Sequence, residues 1–551
     1  MTKTTQLSSD QYLFLILVGY RIVNALVVRT YFDPDEYWQS VEVAHGLVFG
    51  YGYMTWEWKE GIRSILHPLI FGCVYKILAS IGAPSKWIIL GPRVFQGVVA
   101  AIGDLFMVKL ARKMFDREAG QWTLFCMVTS WFWFYAGIRT YSNSMEAVLT
   151  WVGLYFWPWT TSSRLTASLL AAYLTFVIRP TGVMLWSFLG LSLLIRANRK
   201  ISVLLKALAV GASVIAISFT LDRIFFRRWT CTFCNFAYLN IVEGISSYYG
   251  THPWHWYITQ GLPVIMGTHL PFAIYGMMNN RTPKLSTLTQ AMAGTLSVYS
   301  LLEHKEFRFL LPLLGPGMMF AGKGLAVFCK RGKWIARSTI LTIVVSNAVA
   351  AYYFSTMHKR GVVQVIEYLR QVRGNVTDVV FLMPCHSTPF YSHLHAPIPM
   401  RFLSCEPPLR IEQKQYYRDE TTLFHQSVEN FIVAFFAPRI SENMTAPWRP
   451  RFAEREDIPP PRQNYTIKRY KWPSHLVFYE NIEDELKKVI QWTDYRECAR
   501  FFNGYFADDP RQSGDVVVYC RDAAAGESKT PLPKTQSVES SKDAEKKRVE
   551  E

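Results

Sequence analysis

Between residues 11 and 356 the chain carries one apolar run after another, many of roughly 17 to 20 residues, the length needed to cross a hydrocarbon core. Between residues 357 and 521 there is none. No water-soluble globule accommodates that pattern. The chain is therefore expected to be a polytopic α-helical membrane protein with a water-exposed domain appended. Crossings are expected near 11–28, 92–111, 121–137, 142–159, 165–178, 180–196, 201–220, 255–274, 288–303, 308–328 and 335–356, about eleven in all. The stretch 65–81 breaks the parity if it crosses, and is expected to lie in the interface or re-enter. The first run lacks a small-residue cleavage site and is expected to stay as an anchor.

The net charge of +17 raises the question of nucleic acid. The placement of the charges argues against it. Arg112, Lys113 and Arg117, then Arg196, Arg199 and Lys200, then Lys330, Arg331 and Lys333 sit in short loops between spans. That is the positive-inside pattern, which reports orientation rather than a ligand. With these loops cytosolic, the segments 29–64, 221–254, IRTYSNSME and LEHKEFRF fall on the other side, as does everything beyond residue 356.

Two further signals agree. Asn375-Val376-Thr377, Asn443-Met444-Thr445 and Asn464-Tyr465-Thr466 are glycosylation acceptor patterns. Asn280-Arg281-Thr282 also matches, but on the cytosolic side, where it would stay unmodified. Four of the nine cysteines, Cys385, Cys405, Cys498 and Cys520, lie beyond residue 356, and an even number in an oxidising compartment suggests two disulfides. Cys231 and Cys234 form a lone CxxC without the ligand partners zinc needs, so a local disulfide or two free thiols is the better reading. The runs VVFLMP, FIVAFFA, HLVFYE and DVVVYC read as strands and IEDELKKVIQWT as an amphipathic helix. Residues 357–521 are thus expected to form a mixed α/β domain, and 522–551 a charged, disordered tail.

The acidic cluster RTYFDPDEYWQ directly follows the first span. Ionisable groups beside a span are expensive and usually functional. Asp33 and Asp35 also fit a plain turn around Pro34. A partly desolvated carboxylate there can accept a proton from a sugar hydroxyl. Adjacent carboxylates also suit a divalent metal, but the companion loops supply few oxygen ligands. They supply cations and rings: Arg139, Arg179, His304 and Arg308, with Trp254 and His255 in SSYYGTHPWHWY. Converging cations at a membrane face suit a lipid-linked phosphate. The plainer account is ion pairing to Glu146, Glu243 and Glu306. His252 and His255 alone are too few ligands for zinc.

The strings DPDEYWQSVEVAH, YGYMTWEW, RTYSNSMEAVLT, IRPT, YYGTHPWHWYITQGLP, HKEFRFLLPLLG and MHKRG together resemble the dolichyl-phosphate-mannose-dependent mannosyltransferases of glycosyltransferase family twenty-two. The resemblance covers residues 11 to 521 and implies a fold of the GT-C type in the endoplasmic reticulum membrane. Residues 1–356 would be the catalytic membrane unit, with 29–64 its catalytic lumenal loop. FLMPCHSTPFYSHLH and IPMRFLSCEPP resemble the branch that adds the third mannose of the glycosylphosphatidylinositol (GPI) anchor in an alpha-1,2 linkage.

The resemblance implies an inverting transfer from dolichyl phosphate mannose to a GPI glycolipid, with no metal or cofactor. Asp35 would be the general base, with Glu36 its acidic neighbour. Arg308, His304, Arg179 and Arg139 would serve the phosphate, and Trp254 and His255 the acceptor path. Other branches place a His before the acidic pair. Here Pro34 stands between Asp33 and Asp35, leaving Asp33 as a competing carboxylate. Another lumenal mannosyltransferase is the alternative within the class. A lipid or sugar transporter is the alternative outside it, disfavoured by the lack of an internal repeat.

Overall fold

The computed structural model describes residues 8–159, 164–279, 282–409, 417–436 and 471–521. Among them, five helices are long and apolar enough to cross a bilayer by themselves: Ser9–Val27, Ser85–Met114, Lys200–Phe226, Phe307–Arg331 and Lys333–Gln371. Most residues of the apolar stretch of Phe307–Arg331 are buried and few of those of Lys200–Phe226, so the first lies at the centre of the bundle and the second at its lipid-facing edge. The expected crossing 288–303 falls on Pro283–Leu301, an unbroken helix of 19 residues but less apolar, and the rest fall on shorter or broken helices. The run 121–137 is interrupted at Ser130, whose side chain caps the second piece, Trp131–Ala136. The run 255–274 is broken into short π, α and 3-10 pieces. Leu270–Met278 crosses the central helix at glycines: a Cβ on Gly276 would stand 2.1 Å from the Phe320 carbonyl oxygen, and one on Gly324 equally close to that of Phe272.

The stretch 65–81 is the helix Leu66–Ser80, too short to span. It buries Phe71 and Tyr75 and leaves Ile77 and Ile81 exposed, as an interfacial helix does.

Beyond the bundle, five strands form one mixed sheet: β1 Val379–Leu382, β2 Met400–Phe402, β3 His475–Tyr479, β4 Arg496–Phe501 and β5 Val516–Cys520. Their order is β2-β1-β3-β5-β4, with β2, β1 and β3 parallel and β5 antiparallel to both its neighbours. Three of the four expected strands are present. FIVAFFA is instead a helix, Val428–Phe435, capped by Ser427. Its apolar residues Val428, Phe431, Ile432 and Phe435 recur at the helical spacing, and the uninterrupted apolar run hid that period. Disulfides join Cys385 to Cys405, Cys498 to Cys520, and Cys231 to Cys234. Asn375 is exposed, whereas Asn443, Asn464, Asn280 and the tail 522–551 lie outside the described residues.

Successive strand residues point to opposite faces, and both faces here are buried. Val380, Leu382, Leu476, Phe478 and Val517 pack on the helices Glu420–Gln426, Val428–Phe435 and Glu483–Ile490. Val379, Phe381, Val477, Val516 and Val518 share a core with Tyr31, Tyr37, Trp38, Phe71 and Tyr75. The rings of the acidic loop are therefore not all an interfacial belt. Trp38 stacks on Phe390 at 4.9 Å and donates its indole N–H to the Thr388 carbonyl at 3.1 Å. Glu42, fully buried, accepts the backbone N–H groups of Tyr391 and Ser392 at 3.1 and 2.8 Å.

This seam makes a prediction. Glu42→Ala leaves two buried donors unmet, a cost of about 1–3 kcal/mol each. Limited proteolysis of the solubilised protein should cut the variant between the bundle and the sheet domain at protease levels that leave the parent intact.

Candidate active site

The acidic loop is built from a turn. The Asp33 Oδ1 accepts the Asp35 backbone N–H at 2.9 Å, and the Pro34 carbonyl accepts the amides of Tyr37 and Trp38 at 3.0 and 2.9 Å. Helix begins at once, opening as a π-turn over Tyr37–Val41 before the α-helix Glu42–Phe49. Asp35 and Glu36 are adjacent on this turn and point to opposite destinies.

Glu36 is sealed in. Its carboxylate pairs with Arg139 at 2.6 Å and Arg93 at 3.2 Å, and it is 1% exposed. Arg139 also donates to the Thr30 carbonyl and stacks 4.2 Å over the Tyr135 ring. The structure thus gives Glu36 and Arg139 to each other. Both are buried in this pairing, Glu36 being the residue expected beside the base and Arg139 one of those expected to serve the phosphate. Their part is to lock the turn onto the bundle. Arg93, about two turns into the helix Ser85–Met114, was missed in the sequence. A lone charge in an apolar run was the available signal.

Asp35 faces the rim. It is partly exposed, and its Oδ2 pairs with Arg308. Arg308 also binds Asp33 at 2.8 Å and takes Glu306 through Nε and, at 2.9 Å, through Nη2. One guanidinium therefore serves three carboxylates. The consequence shows in the protonation states. Burial, reinforced by Glu306 and Asp35 and opposed by Arg308, pushes the Asp33 carboxyl up to about 7. Glu306 is half-buried, which works against its charge, but Arg308 and His304 hold its carboxyl well below the usual range. His304 donates to Glu306 at 2.7 Å and meets the Gly250 carbonyl at 2.9 Å; burial disfavours its charge, but Glu306 lifts its pKa above the ordinary value.

Arg179 is buried beside Glu146 at 3.3 Å, over the Phe309 ring, and within the electrostatic reach of Arg308 and Asp35. The plain ion pairs to Glu146 and Glu306 thus exist, and they gather around Asp35. Trp254, 66% exposed, and His255, 3.3 Å from Thr259 Oγ1, stand on the outer side of this cluster. They are tied in through His252, whose amide bonds the Glu303 carbonyl and whose carbonyl accepts Lys305. From the sheet domain His386 approaches the same point, packed 4.5 Å from Trp38 and within the field of Asp35. Cys385, His386 and Cys405 lie close together, but both sulfurs are committed to a disulfide rather than free to bind metal.

A helical bundle with an acidic first loop, roofed by a small sheet domain, defines a polytopic glycosyltransferase of the GT-C type. ArnT from Cupriavidus metallidurans, solved with undecaprenyl phosphate bound, shares this fold with a TM-score of 0.55 at 11% identity, over 94% of this chain and 99% of that one. The chain belongs to the Alg9-like mannosyltransferase family, which matches residues 12–395. It is a multi-pass membrane mannosyltransferase. It is 36% identical to the human protein named GPI alpha-1,2-mannosyltransferase 3, over 94% of this chain and 88% of that one. It is also 36% identical to GPI mannosyltransferase 3 of Yarrowia lipolytica, over 92% and 96%.

The two acidic neighbours should separate on mutation. Glu36→Gln strands buried arginines, and breaking a buried pair costs about 3–5 kcal/mol. Its melting temperature in detergent should fall by several degrees and its yield with it. Asp35→Asn should remain monodisperse and melt close to the parent.

Proposed function

We propose that this enzyme transfers the third mannose of the GPI anchor precursor from dolichyl phosphate mannose, in an alpha-1,2 linkage, at the lumenal face of the endoplasmic reticulum membrane. One observation supports it most. In a chain similar over nearly its whole length to proteins named for this activity, two partly exposed carboxylates of the acidic loop, Asp33 and Asp35, each hold one oxygen on Arg308 with the other unpartnered among the described residues, and Asp35 is the one whose bound oxygen has no second partner.

The chemistry follows from that geometry. The free Asp35 oxygen takes the proton of the acceptor 2-hydroxyl as that oxygen attacks the anomeric carbon. The bond from that carbon to the phosphate oxygen breaks, and its electron pair leaves with dolichyl phosphate from the opposite face, inverting the centre. Positive charge accumulates on the sugar and negative charge on the departing phosphate. Preorganised cations lower the cost of such charge where water is excluded. Arg308 and Arg179 lie where they can do so, with His304 reinforcing Arg308 through Glu306. The leaving phosphate is already stable, so neither a general acid nor a metal is needed. Asp33 is the competing base; its Oδ1 accepts both the Asp35 amide and Arg308, which ties it into the turn more firmly than Asp35. Arg308 orients Asp35 and then, as charge develops, can turn to the phosphate.

Microsomes carrying Asp35→Asn should transfer labelled mannose to the two-mannose GPI intermediate about 10²–10⁴-fold more slowly, the range for a lost general base. Asp33→Asn should retain a far larger share of the parent rate. Full activity in a stable Asp35→Asn protein would remove it as base. A chelator should leave the parent rate unchanged, and a rate that collapses and returns with added divalent metal would overturn the metal-free mechanism.

A further inference from the structure

The sheet domain carries an exposed apolar surface that the transfer does not use. It is the stretch FNGYF, residues 502–506, which follows β4. Tyr505 is 74% exposed, Phe506 53% and Phe502 39%, while Asn503 between them is buried. Three large rings thus point outward from one short stretch, and its polar side chain points in. Single apolar residues on a surface need no explanation, but a contiguous group marks a partner.

The place of this stretch names the partner. Tyr505 and Phe506 stack on Tyr353, with ring centroids 6.3 and 5.6 Å apart and planes 15° and 25° from parallel. Phe506 also lies 4.7 Å from the His358 ring. Tyr353 belongs to the final turn of the last span, Lys333–Thr356. From Lys333 to Tyr353 that helix is about 30 Å long, the thickness of a hydrocarbon core. Tyr353 and the rings stacked on it therefore lie where acyl chains give way to headgroups. The first span ends at the same level, since the Arg29 N–H just beyond it donates to the Ser355 carbonyl at 2.8 Å.

The lipid-facing side of the last span leads to the same point. Leu341, Val345, Val349 and Tyr352 are all exposed, at spacings that keep them on one side of the helix. Tyr352 ends that stripe beside Tyr353, so the rings of 502–506 extend a surface that already faces lipid. Their depth is fixed by the residues that leave the span. The Arg360 N–H donates to the Asn503 carbonyl at 3.3 Å, and Lys359 pairs with Asp508 at 2.8 Å. A Cβ on Gly361 would stand 2.8 Å from the Phe501 carbonyl oxygen.

We propose that Phe502, Tyr505 and Phe506 insert into the headgroup boundary of the bilayer beside the last span, with phospholipid as the partner of this surface. An aromatic ring suits that depth, and the Tyr505 hydroxyl can stay with the headgroups. The nearest charges, Lys359 and Asp508, answer each other, so the attachment is apolar. It gives the sheet domain a hold on the membrane besides the chain that joins it to the bundle. Because the inner face of that domain shares a core with the acidic loop, the bilayer itself helps to fix the wall of the site.

The test places a photoreactive group on the surface. Full-length protein is made with p-benzoylphenylalanine in place of Tyr505, of Phe506 or of Lys488, reconstituted into phosphatidylcholine vesicles and irradiated. Lys488 is exposed on the helix Glu483–Ile490, which covers the opposite face of the sheet. Adducts are identified by mass, using variants whose melting temperature and monodispersity match the parent. Positions 505 and 506 should yield phospholipid adducts about tenfold or more above position 488, in about 0.1 M and about 1 M salt alike, because apolar insertion is not screened. The unmodified protein supplies a second arm that needs no variant. Hydroxyl radicals from water should oxidise Tyr505 in the reconstituted protein far less than in its free peptide. Lipid adducts no more abundant at 505 and 506 than at 488 would overturn the proposal, as would near-equal oxidation of Tyr505 in protein and peptide. Adducts to a second copy of the chain in place of lipid would make this a protein interface and overturn it too. Lipid adducts lost in high salt would overturn the apolar mode of attachment.

Discussion

The buried carboxylate of Glu36 between Arg139 and Arg93 is the interaction on which the site depends. A charge of that kind is tolerated only when paired, and once paired it has one geometry. It fixes the first turn after the first span against one transmembrane helix, through Arg93, and against the loop 137–141, through Arg139. Asp35, its chain neighbour, is thereby held facing the rim, where Arg308, Arg179 and His386 converge. Without the lock, a short acidic loop at a membrane surface would sample many positions, and no single carboxylate would be held for catalysis.

The second constraint is shared charge. Arg308 alone answers Asp33, Asp35 and Glu306, so the rim is short of positive charge at Asp35, with Arg179 the next guanidinium within its electrostatic reach. That polarity suits a transfer in which a proton is drawn off on one side and a phosphate leaves on the other. The sheet domain completes the site. Its inner face shares a core with the acidic loop, so it acts as part of the catalytic wall rather than as an appended cap.

Much of this was legible in the sequence because it depends on length and local period. Apolar length located the helices, short runs of β-branched and aromatic residues located β1, β3 and β5, and an even number of cysteines beyond residue 356 announced two disulfides. The acidic loop stood out because carboxylates rarely border a span. What was not legible depends on partners far apart in the chain. The hydrogen bond from Trp38 to Thr388 joins residues 350 positions apart, and nothing in either segment names the other. The same distance hid that Glu36 belongs to Arg139. FIVAFFA was misread because an all-apolar run carries no period. Arg93 was passed over because a single polar residue in an apolar stretch has no spacing to recognise.

The central claim is that this chain elongates the GPI glycan at its third mannose. The most direct measurement is the identity of the glycolipid that accumulates when the gene is removed, resolved by mass after labelling with mannose. The account predicts a GPI intermediate with two mannoses, which disappears when the intact chain is restored. A GPI intermediate stopped at three mannoses, or a truncated dolichol-linked oligosaccharide with normal GPI, would contradict it.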